Sequence, residues 1–163
     1  MSKLILGLGG NEGNVLDTFK KVEHLININV GEILQHSSTY QAAAWGNTNQ
    51  PDFFNKVIEV ETDLTVQDCL RRVLEIEQKM GRVRTAQKWT ARTIDIDILF
   101  YNDVILKQED LVVPHPYIQE RKFVLIPLVE IVPSFIHPVF NESIIKLFDK
   151  CSDELDIKML LKS

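Results

Sequence analysis

The chain has 163 residues, of which 45% are apolar and 25% charged, and this composition is typical of one ordinary soluble domain spanning residues 1–163. Its net charge of -5 argues against general nucleic-acid binding, which usually needs a basic surface. Cys69 and Cys151 have no framework spacing, and no apolar run is long enough for a signal peptide or a membrane span, so we expect a cytoplasmic protein with free thiols.

The first half of the chain predicts three strands and two helices. The predicted strands cover residues 3–8, 31–40 and 53–61, with a turn over residues 9–14 and a loop over residues 41–52. The core face of the first helix carries Val15, Phe19, Val22 and Ile26, and that of the second carries Cys69, Val73, Ile76 and Met80. Asn14 and Thr65 are suited to cap the two helices, and Gly81 is a natural stop.

Several residues in this half allow more than one interpretation. The glycine-rich turn matches neither the dinucleotide fingerprint nor the P-loop, which favours a tight connection. Trp45 is either a lid or packs its loop down. Asn55 could close a loop or pair with the edge of a heterocycle. Glu77 lies in the last turn of a helix, where a carboxylate is mildly unfavourable, so we expect it to be solvated unless it has a cationic or ligand partner.

Residues 81–100 combine a basic loop with an acidic strand. The loop carries Arg82, Arg84, Lys88 and Arg92 without an acidic residue among them. The following strand, predicted over residues 93–100, alternates isoleucine with aspartate, so Asp95 and Asp97 share the face opposite the isoleucines. Two such carboxylates can bind a pair of hard cations, and the loop could hold an anion that these cations also touch. The alternative is a solvated Asp-x-Asp beside a solvated loop.

The second half of the chain predicts a helical extension. Residues 104–106 read as a short strand, residues 112–116 as extended chain, and residues 121–131 and 143–150 as helices separated by a loop over residues 133–138. His115, held between two prolines, could be structural, and the tail after Ser152 has no assignment. Together the elements predict an α+β fold, the ferredoxin-like split βαβ (βαββαβ) antiparallel sheet with helices packed on it and a C-terminal helical extension.

Four motifs in this order carry a resemblance to a known family. They are LGGN at residues 8–11, QPDFFN at 50–55, GRVR with KWTARTIDIDIL over 81–99, and VPHP at 113–116. This set resembles the 6-hydroxymethyl-7,8-dihydropterin pyrophosphokinases of folate biosynthesis. The resemblance implies transfer of the β,γ-diphosphoryl group of ATP to the hydroxymethyl oxygen of 6-hydroxymethyl-7,8-dihydropterin, with release of AMP.

The resemblance also implies roles for individual residues. Asp95 and Asp97 match ligands of two Mg²⁺ ions bound with ATP, and Arg82 and Arg92 match catalytic cations on the triphosphate. Positions around the nucleotide are matched by Glu77, Arg84, Trp89, Ile98, His115 and Arg121, of which Arg84 and Trp89 resemble parts of a mobile loop. Positions around the pterin are matched by Ala42, Ala43, Trp45, Phe53, Asn55 and Phe123.

The chain departs from the family pattern at three positions. Ala42 and Ala44 replace a common threonine and proline, which removes the stiffness of the proline from that loop, and Thr90 replaces the usual glycine or alanine. The expected partners are the two small substrates, with no nucleic acid and no membrane, and the expected state is a monomer. Two rival functions stay open, a nucleotide-sugar glycosyltransferase with an Asp-x-Asp metal site and a ferredoxin-like regulator that binds nucleotide without turnover.

Overall fold

The computed structural model describes residues 1–42, 51–81 and 94–161. The strands are Ser2–Gly10 (β1), Glu32–His36 (β2), Thr39–Ala42 (β3), Phe53–Thr62 (β4), Asp95–Tyr101 (β5), Leu106–Lys107 (β6), Val112–Val113 (β7), Ile136–His137 (β8), Glu142–Ser143 (β9) and Ile157–Leu161 (β10). The α-helices are Val15–Asn29 (α1), Val66–Lys79 (α2), Lys122–Ile131 (α3) and Ile144–Lys150 (α4), and a short 3₁₀ helix covers Ile118–Glu120.

The main sheet is antiparallel and has β4 at its centre, with β1 between β4 and β5. Its strands stand in the order β10-β3-β4-β1-β5, and β2 also pairs with β4. With β2 and β3 taken as one broken strand, the strands of the split βαβ unit stand in the order second, third, first, fourth. Because α1 follows β1 and α2 follows β4, this is the ferredoxin-like arrangement that the sequence predicts.

One face of the sheet is packed by α1 and α2. Alternation along β1 turns Leu4, Leu6 and Leu8 toward these helices, where they are fully buried. The predicted core faces and both predicted caps are confirmed, except that Met80 is only partly buried. The side chains of the two cap residues each accept a hydrogen bond from a backbone N–H of the first turn, Asn14 from Asp17 at 3.2 Å and Thr65 from Asp68 at 3.1 Å.

The opposite face of the sheet is only partly covered by helices. A second core forms there between Ile5, Val57, Leu99 and Phe100 of the sheet and Leu125, Leu128, Ile144 and Leu147 of α3 and α4. The carboxylate of Glu130, at the C-terminal end of α3, accepts hydrogen bonds from Ser38 N at 2.9 Å, Ser38 Oγ at 2.8 Å and Tyr40 Oη at 2.7 Å. These three bonds tie that end of α3 to Ser38 and to Tyr40 of β3.

The strand predicted over residues 31–40 is wrong as a single element, because the chain bends at Ser37 and Ser38 and separates β2 from β3. Ser37 makes the bend possible by bonding both to β4 and to its own neighbour. Its N–H donates to Val57 O at 2.9 Å, its Oγ accepts from Val57 N at 3.0 Å, and the same hydroxyl donates to Ser38 O at 2.7 Å. Both halves therefore stay paired with β4 across the bend.

Four further boundaries differ from the sequence predictions. Gly9 and Gly10 extend β1 instead of forming a turn, since they pair with β4. Gln41 and Ala42 belong to β3 instead of the predicted loop, because β4 and β10 pair with them. The short strand lies at Leu106–Lys107, where it can pair with β7. The predicted loop over residues 133–138 contains β8, which pairs with β9.

The C-terminal tail, left unassigned from the sequence, contributes β10, which pairs antiparallel with β3. The extension is therefore not wholly helical. No helix in the described ranges is long and apolar enough to cross a membrane.

His137, whose ring lies against Phe100 of the second core, provides a test of the packing there. Its side chain is 2% exposed, and its Nδ1 accepts from Val139 N at 3.1 Å and Phe140 N at 3.4 Å. Burial lowers the pKa of His137 to about 4. Since the unfolded chain, with a pKa of about 6.5 at this residue, takes up the proton first, the free energy of unfolding should fall as the pH drops from about 6.5 to 4.

Urea denaturation at a series of pH values checks this expectation. In His137→Asn, the free energy of unfolding should fall less steeply between pH 6.5 and 4 than in the wild type. The asparagine amide oxygen can replace Nδ1 as an acceptor, but the amide does not titrate in this range. The exposed His24 supplies the control, and His24→Asn should keep the slope. A His137→Asn slope equal to that of the wild type would contradict the assignment.

Candidate active site

Three of the predicted site residues, Asn55, Asp95 and Asp97, point to the sheet face opposite α1 and α2, which we call the site face. Residues paired on neighbouring antiparallel strands point to the same side of the sheet. Gly9 of β1 pairs with Asp95 on one side and Asn55 on the other, and Gly7 pairs with Asp97. The acidic pair and the asparagine therefore flank a central strip of glycine on one face.

The Asp-x-Asp strand has the orientation that the sequence predicts. Ile96 and Ile98 are 5% and 6% exposed and pack in the core beneath α1 and α2. Asp97 is exposed and Asp95 is partly buried, both on the opposite side. Because the side chain of Ile98 points into the core, only its backbone can contact a ligand on the site face.

Glu77 is not solvated, so that expectation is wrong. Its side chain is 3% exposed, and its Oε2 accepts a hydrogen bond of 2.8 Å from the backbone N–H of Ile96. Ile96 lies between the two aspartates, so Glu77 holds the part of β5 that carries both of them. A carboxylate accepting from a backbone N–H forms one of the stronger hydrogen bonds in proteins.

Gly9 is a functional candidate that the sequence reasoning missed. A Cβ atom on Gly9 would lie 3.0 Å from Asn55 Oδ1, so the Asn55 amide reaches over the backbone of Gly9. Gly9 lies between Asn55 and Asp95, carries no side chain and is partly exposed, so a ligand can approach the backbone there. The side chain of Leu99 covers Gly7, since it lies 3.5 Å from the position that a Cβ atom would take. The signal was the alternation of leucine and glycine over residues 6–9, where one face carries leucine and the other carries nothing.

The four described residues among those predicted around the pterin lie on three different elements. Ala42 ends β3 and pairs with Phe53 of β4, while Asn55, two residues further along β4, pairs with Tyr40. Phe123 lies in the first turn of α3. Phe53, Asn55 and Phe123 are each partly exposed, as ligand-binding side chains must be, whereas Ala42 is buried.

His115 and Arg121 form a second group beside β5. The backbone N–H of His115 donates to Leu99 O at 3.0 Å, and its Nδ1 accepts from Tyr117 N at 3.2 Å. The Arg121 guanidinium lies 5.1 Å from the Tyr117 ring centroid and 5.7 Å from that of Phe123. Burial chiefly lowers the pKa of His115, with Asp97 raising it and Arg121 lowering it, so the ring favours its neutral form.

Six predicted site residues lie outside the described residues. They are Ala43, Trp45, Arg82, Arg84, Trp89 and Arg92. Their roles stay predictions.

The acidic pair fits a magnesium site that is completed by a substrate. Asp95 and Asp97 offer hard carboxylate oxygens on one face, about 7 Å apart along the strand. No cluster of three or more histidine, cysteine, aspartate or glutamate side chains suited to a metal occurs within the described ranges. Mg²⁺ is commonly bound through one or two carboxylates together with substrate phosphates and water, so two carboxylates are enough for such a site.

Comparison with known proteins identifies the family. A family model described as 7,8-dihydro-6-hydroxymethylpterin-pyrophosphokinase (HPPK) matches residues 5–133. The chain belongs to the HPPK family. It is 40% identical over 147 residues to 2-amino-4-hydroxy-6-hydroxymethyldihydropteridine pyrophosphokinase of Synechocystis, covering 90% of this chain and 74% of that protein. It is 38% identical over 146 residues to the protein of the same name from Aquifex aeolicus, covering 87% and 88%.

A solved structure shows the same fold in a distant relative. The HPPK-DHPS of Plasmodium falciparum superposes with a TM-score of 0.75 at 19% identity, covering 91% of this chain and 43% of that one. The HPPK fold is therefore preserved at low sequence identity.

The bond between Glu77 and Ile96 gives a prediction for the site. Glu77→Ala leaves a buried N–H without this acceptor, so the free energy of unfolding should fall by about 1–3 kcal/mol. Amide hydrogen exchange at Ile96 should accelerate as well. Glu77→Gln keeps an oxygen acceptor and should retain most of the protection.

Exchange measured by NMR and urea denaturation check this, with Glu75→Ala of the exposed face of α2 as the control. Unchanged protection of Ile96 in Glu77→Ala would show that the bond does not hold β5.

Proposed function

We propose that this chain transfers the β,γ-diphosphoryl group of ATP to the hydroxymethyl oxygen of 6-hydroxymethyl-7,8-dihydropterin. The products are the pterin diphosphate and AMP, and the reaction is a step of folate biosynthesis. The observation that carries the proposal is the shared site face, on which the acidic pair and Asn55 flank glycine residues in a chain of the HPPK family. The relatives named above are pyrophosphokinases of this pterin by name.

The spacing of the strands suits a transfer between two neighbouring ligands. Asn55 and Asp95 are separated by two strand spacings, or about 10 Å, with Gly9 between them. A heterocycle that pairs with Asn55 can therefore place its substituent beside phosphates held at the aspartates. Holding both reactants in line is the main contribution a protein makes to phosphoryl transfer.

At the phosphate end, we assign Asp95 and Asp97 as ligands of two Mg²⁺ ions. Bound magnesium would neutralise the charge of the triphosphate and orient its oxygens. Arg82 and Arg92 are the proposed catalytic cations, because guanidinium groups are always charged and can contact two phosphate oxygens at once. Arg84 and Trp89 complete the proposed contacts from the same loop.

At the nucleotide end, we assign His115, Arg121, Glu77 and Ile98 different kinds of contact. The neutral imidazole of His115 and the cation of Arg121 can contact ATP directly. Glu77 acts through the backbone of β5, and Ile98 can contribute only its backbone.

At the pterin end, we assign Asn55 to the edge of the ring. Its amide both donates and accepts, and it can match the donor and acceptor groups of a pterin. Phe53 and Phe123 provide the flat apolar surfaces that a heterocycle needs. Ala42, Ala43 and Trp45 complete the proposed pocket.

The reaction forms a bond from the pterin hydroxymethyl oxygen to the β-phosphorus. The bond from the β-phosphorus to the oxygen bridging it to the α-phosphorus breaks, and that oxygen leaves with AMP. The hydroxyl proton passes to solvent or phosphate, and we assign no side chain as general base. We also propose that residues 1–163 act as one domain, as a monomer and in the cytoplasm, where the free thiols of Cys69 and Cys151 would persist.

An assay for AMP tests the reaction directly. The purified chain with MgATP should release AMP only when the hydroxymethyl-dihydropterin is present, and the pterin should gain two phosphates. Nucleotide binding without AMP release would favour a regulator, and transfer of a sugar from a nucleotide sugar would favour a glycosyltransferase.

The metal assignment predicts a large loss of activity in Asp97→Ala. Removing one carboxylate should cost several kcal/mol of transition-state stabilisation. The value of kcat/KM should therefore fall on the order of 10³-fold or more. Asp103→Ala, in the exposed turn after β5, supplies the matched control and should retain wild-type activity. Turnover in Asp97→Ala close to that of the control would overturn the assignment.

The pterin assignment predicts a selective loss of affinity in Asn55→Ala. The pterin edge loses its hydrogen-bond partners while the phosphates keep theirs, so pterin affinity should fall roughly ten- to a hundredfold and ATP affinity should hardly change. Calorimetry with the α,β-methylene analogue of ATP, alone and followed by pterin, measures both values. Equal losses for the two ligands would contradict a pterin-specific role.

A further inference from the structure

The start of α3 is capped by a residue from the C-terminal tail. Its own cap residue, Arg121, makes no side-chain capping bond. Asp153 supplies the missing acceptor, since its Oδ2 accepts from Lys122 N at 3.1 Å and its Oδ1 accepts from Leu155 N at 3.0 Å. A carboxylate at this position satisfies an N–H of the first helical turn and interacts favourably with the helix dipole.

The same tail then joins the sheet beside the proposed pterin site. Ile157 of β10 pairs with Ala42 of β3, and Ala42 pairs in turn with Phe53 of β4. Residues 153–157 therefore connect the helix turn that carries Phe123 to the strand next to Phe53. These five residues are called the strap below.

The two ends of α3 are held in different ways. Glu130 bonds the C-terminal end to Ser38 and Tyr40 of the bend and β3, whereas Asp153 bonds the N-terminal end to the strap. Phe123 lies seven residues before Glu130, or about 10 Å along the helix. If the cap were lost, a tilt of only ~6° about the Glu130 end would move Phe123 by about 1 Å.

We propose that the strap, acting through Asp153 as a positioning residue, fixes the separation of Phe123 from Phe53 and thereby sets the affinity for the pterin ring. This inference rests on the proposed function. A flat ring between two aromatic faces needs them about 7–8 Å apart, which is two contact distances of roughly 3.5–4 Å. A displacement of about 1 Å at a positioned group can cost as much as ~10²-fold in rate, so small movements of α3 matter here.

Asp153→Ala tests the strap by removing the cap while leaving every proposed contact residue in place. The measurements are calorimetry with the α,β-methylene analogue of ATP followed by pterin, and steady-state kinetics with both substrates. Pterin affinity should fall about tenfold, and KM for pterin should rise with it. Affinity for the ATP analogue should change less than about threefold, since the other proposed nucleotide contacts, Asp95, Asp97 and His115, do not lie on α3.

Three further variants separate positioning from general instability. Asp153→Asn keeps an oxygen acceptor and should recover most of the pterin affinity, which also keeps the test valid if Asp153→Ala does not fold. Asp156→Ala removes an exposed carboxylate from the same strap and should bind pterin like the wild type. Thr62→Val removes the buried bond from Thr62 Oγ1 to Val30 O, 2.6 Å long and at the far end of β4, and should lower stability without weakening pterin binding.

The outcomes are distinguishable from failure of the proposed function. If the wild type binds no pterin, the proposed function fails. If the wild type binds pterin but Asp153→Ala binds it equally well, the strap has no positioning role. The inference would also be overturned if Asp153→Ala weakened the binding of both ligands equally. It would likewise be overturned if Thr62→Val weakened pterin binding as much as Asp153→Ala does.

Discussion

The register of β5 against β1 is the constraint on which the site depends. Side chains alternate along a strand, so a slip of one residue would turn Asp95 and Asp97 into the core and the isoleucines into solvent. Two features hold the register in which Asp95 pairs with Gly9: the apolar face beneath α1 and α2, and the bond from Ile96 N to Glu77. The bond to Glu77 comes from α2, so a helix on one face of the sheet helps to set the positions of Asp95 and Asp97 on the other face.

The strand β1 carries core residues on one face and faces the proposed site with the other. Toward α1 and α2, β1 presents leucines that form the core, and toward the site it presents Gly7 and Gly9. The missing side chains weaken the strand locally, because glycine loses more backbone entropy on folding than any other residue. Dense packing on the reverse face offsets that cost and lets β1 serve as the floor of the proposed binding site.

Features with a local period could be predicted from the sequence, and features made by distant partners could not. The orientation of Asp95 and Asp97, the core faces of both helices and the Asn14 cap follow from spacings of two to four residues. Glu77 is 19 residues from Ile96, and Asp153 is 31 residues from Lys122. Such bonds between a side chain and a remote backbone N–H have no periodic signal. The bend at Ser37 and Ser38 was missed for a similar reason, since it depends on bonds to Val57.

The central claim is that the metal and the pterin bind side by side on one face of the sheet. Paramagnetic broadening by Mn²⁺, which accepts the same hard oxygen ligands as Mg²⁺, measures this most directly. With the α,β-methylene analogue of ATP bound, Mn²⁺ should strongly broaden the hydroxymethyl proton signals of the bound pterin, because the two sites are about 10 Å apart or less. The broadening should vanish in Asp97→Ala. Sharp pterin signals in the wild-type complex, with Mn²⁺ and nucleotide both bound, would contradict the account.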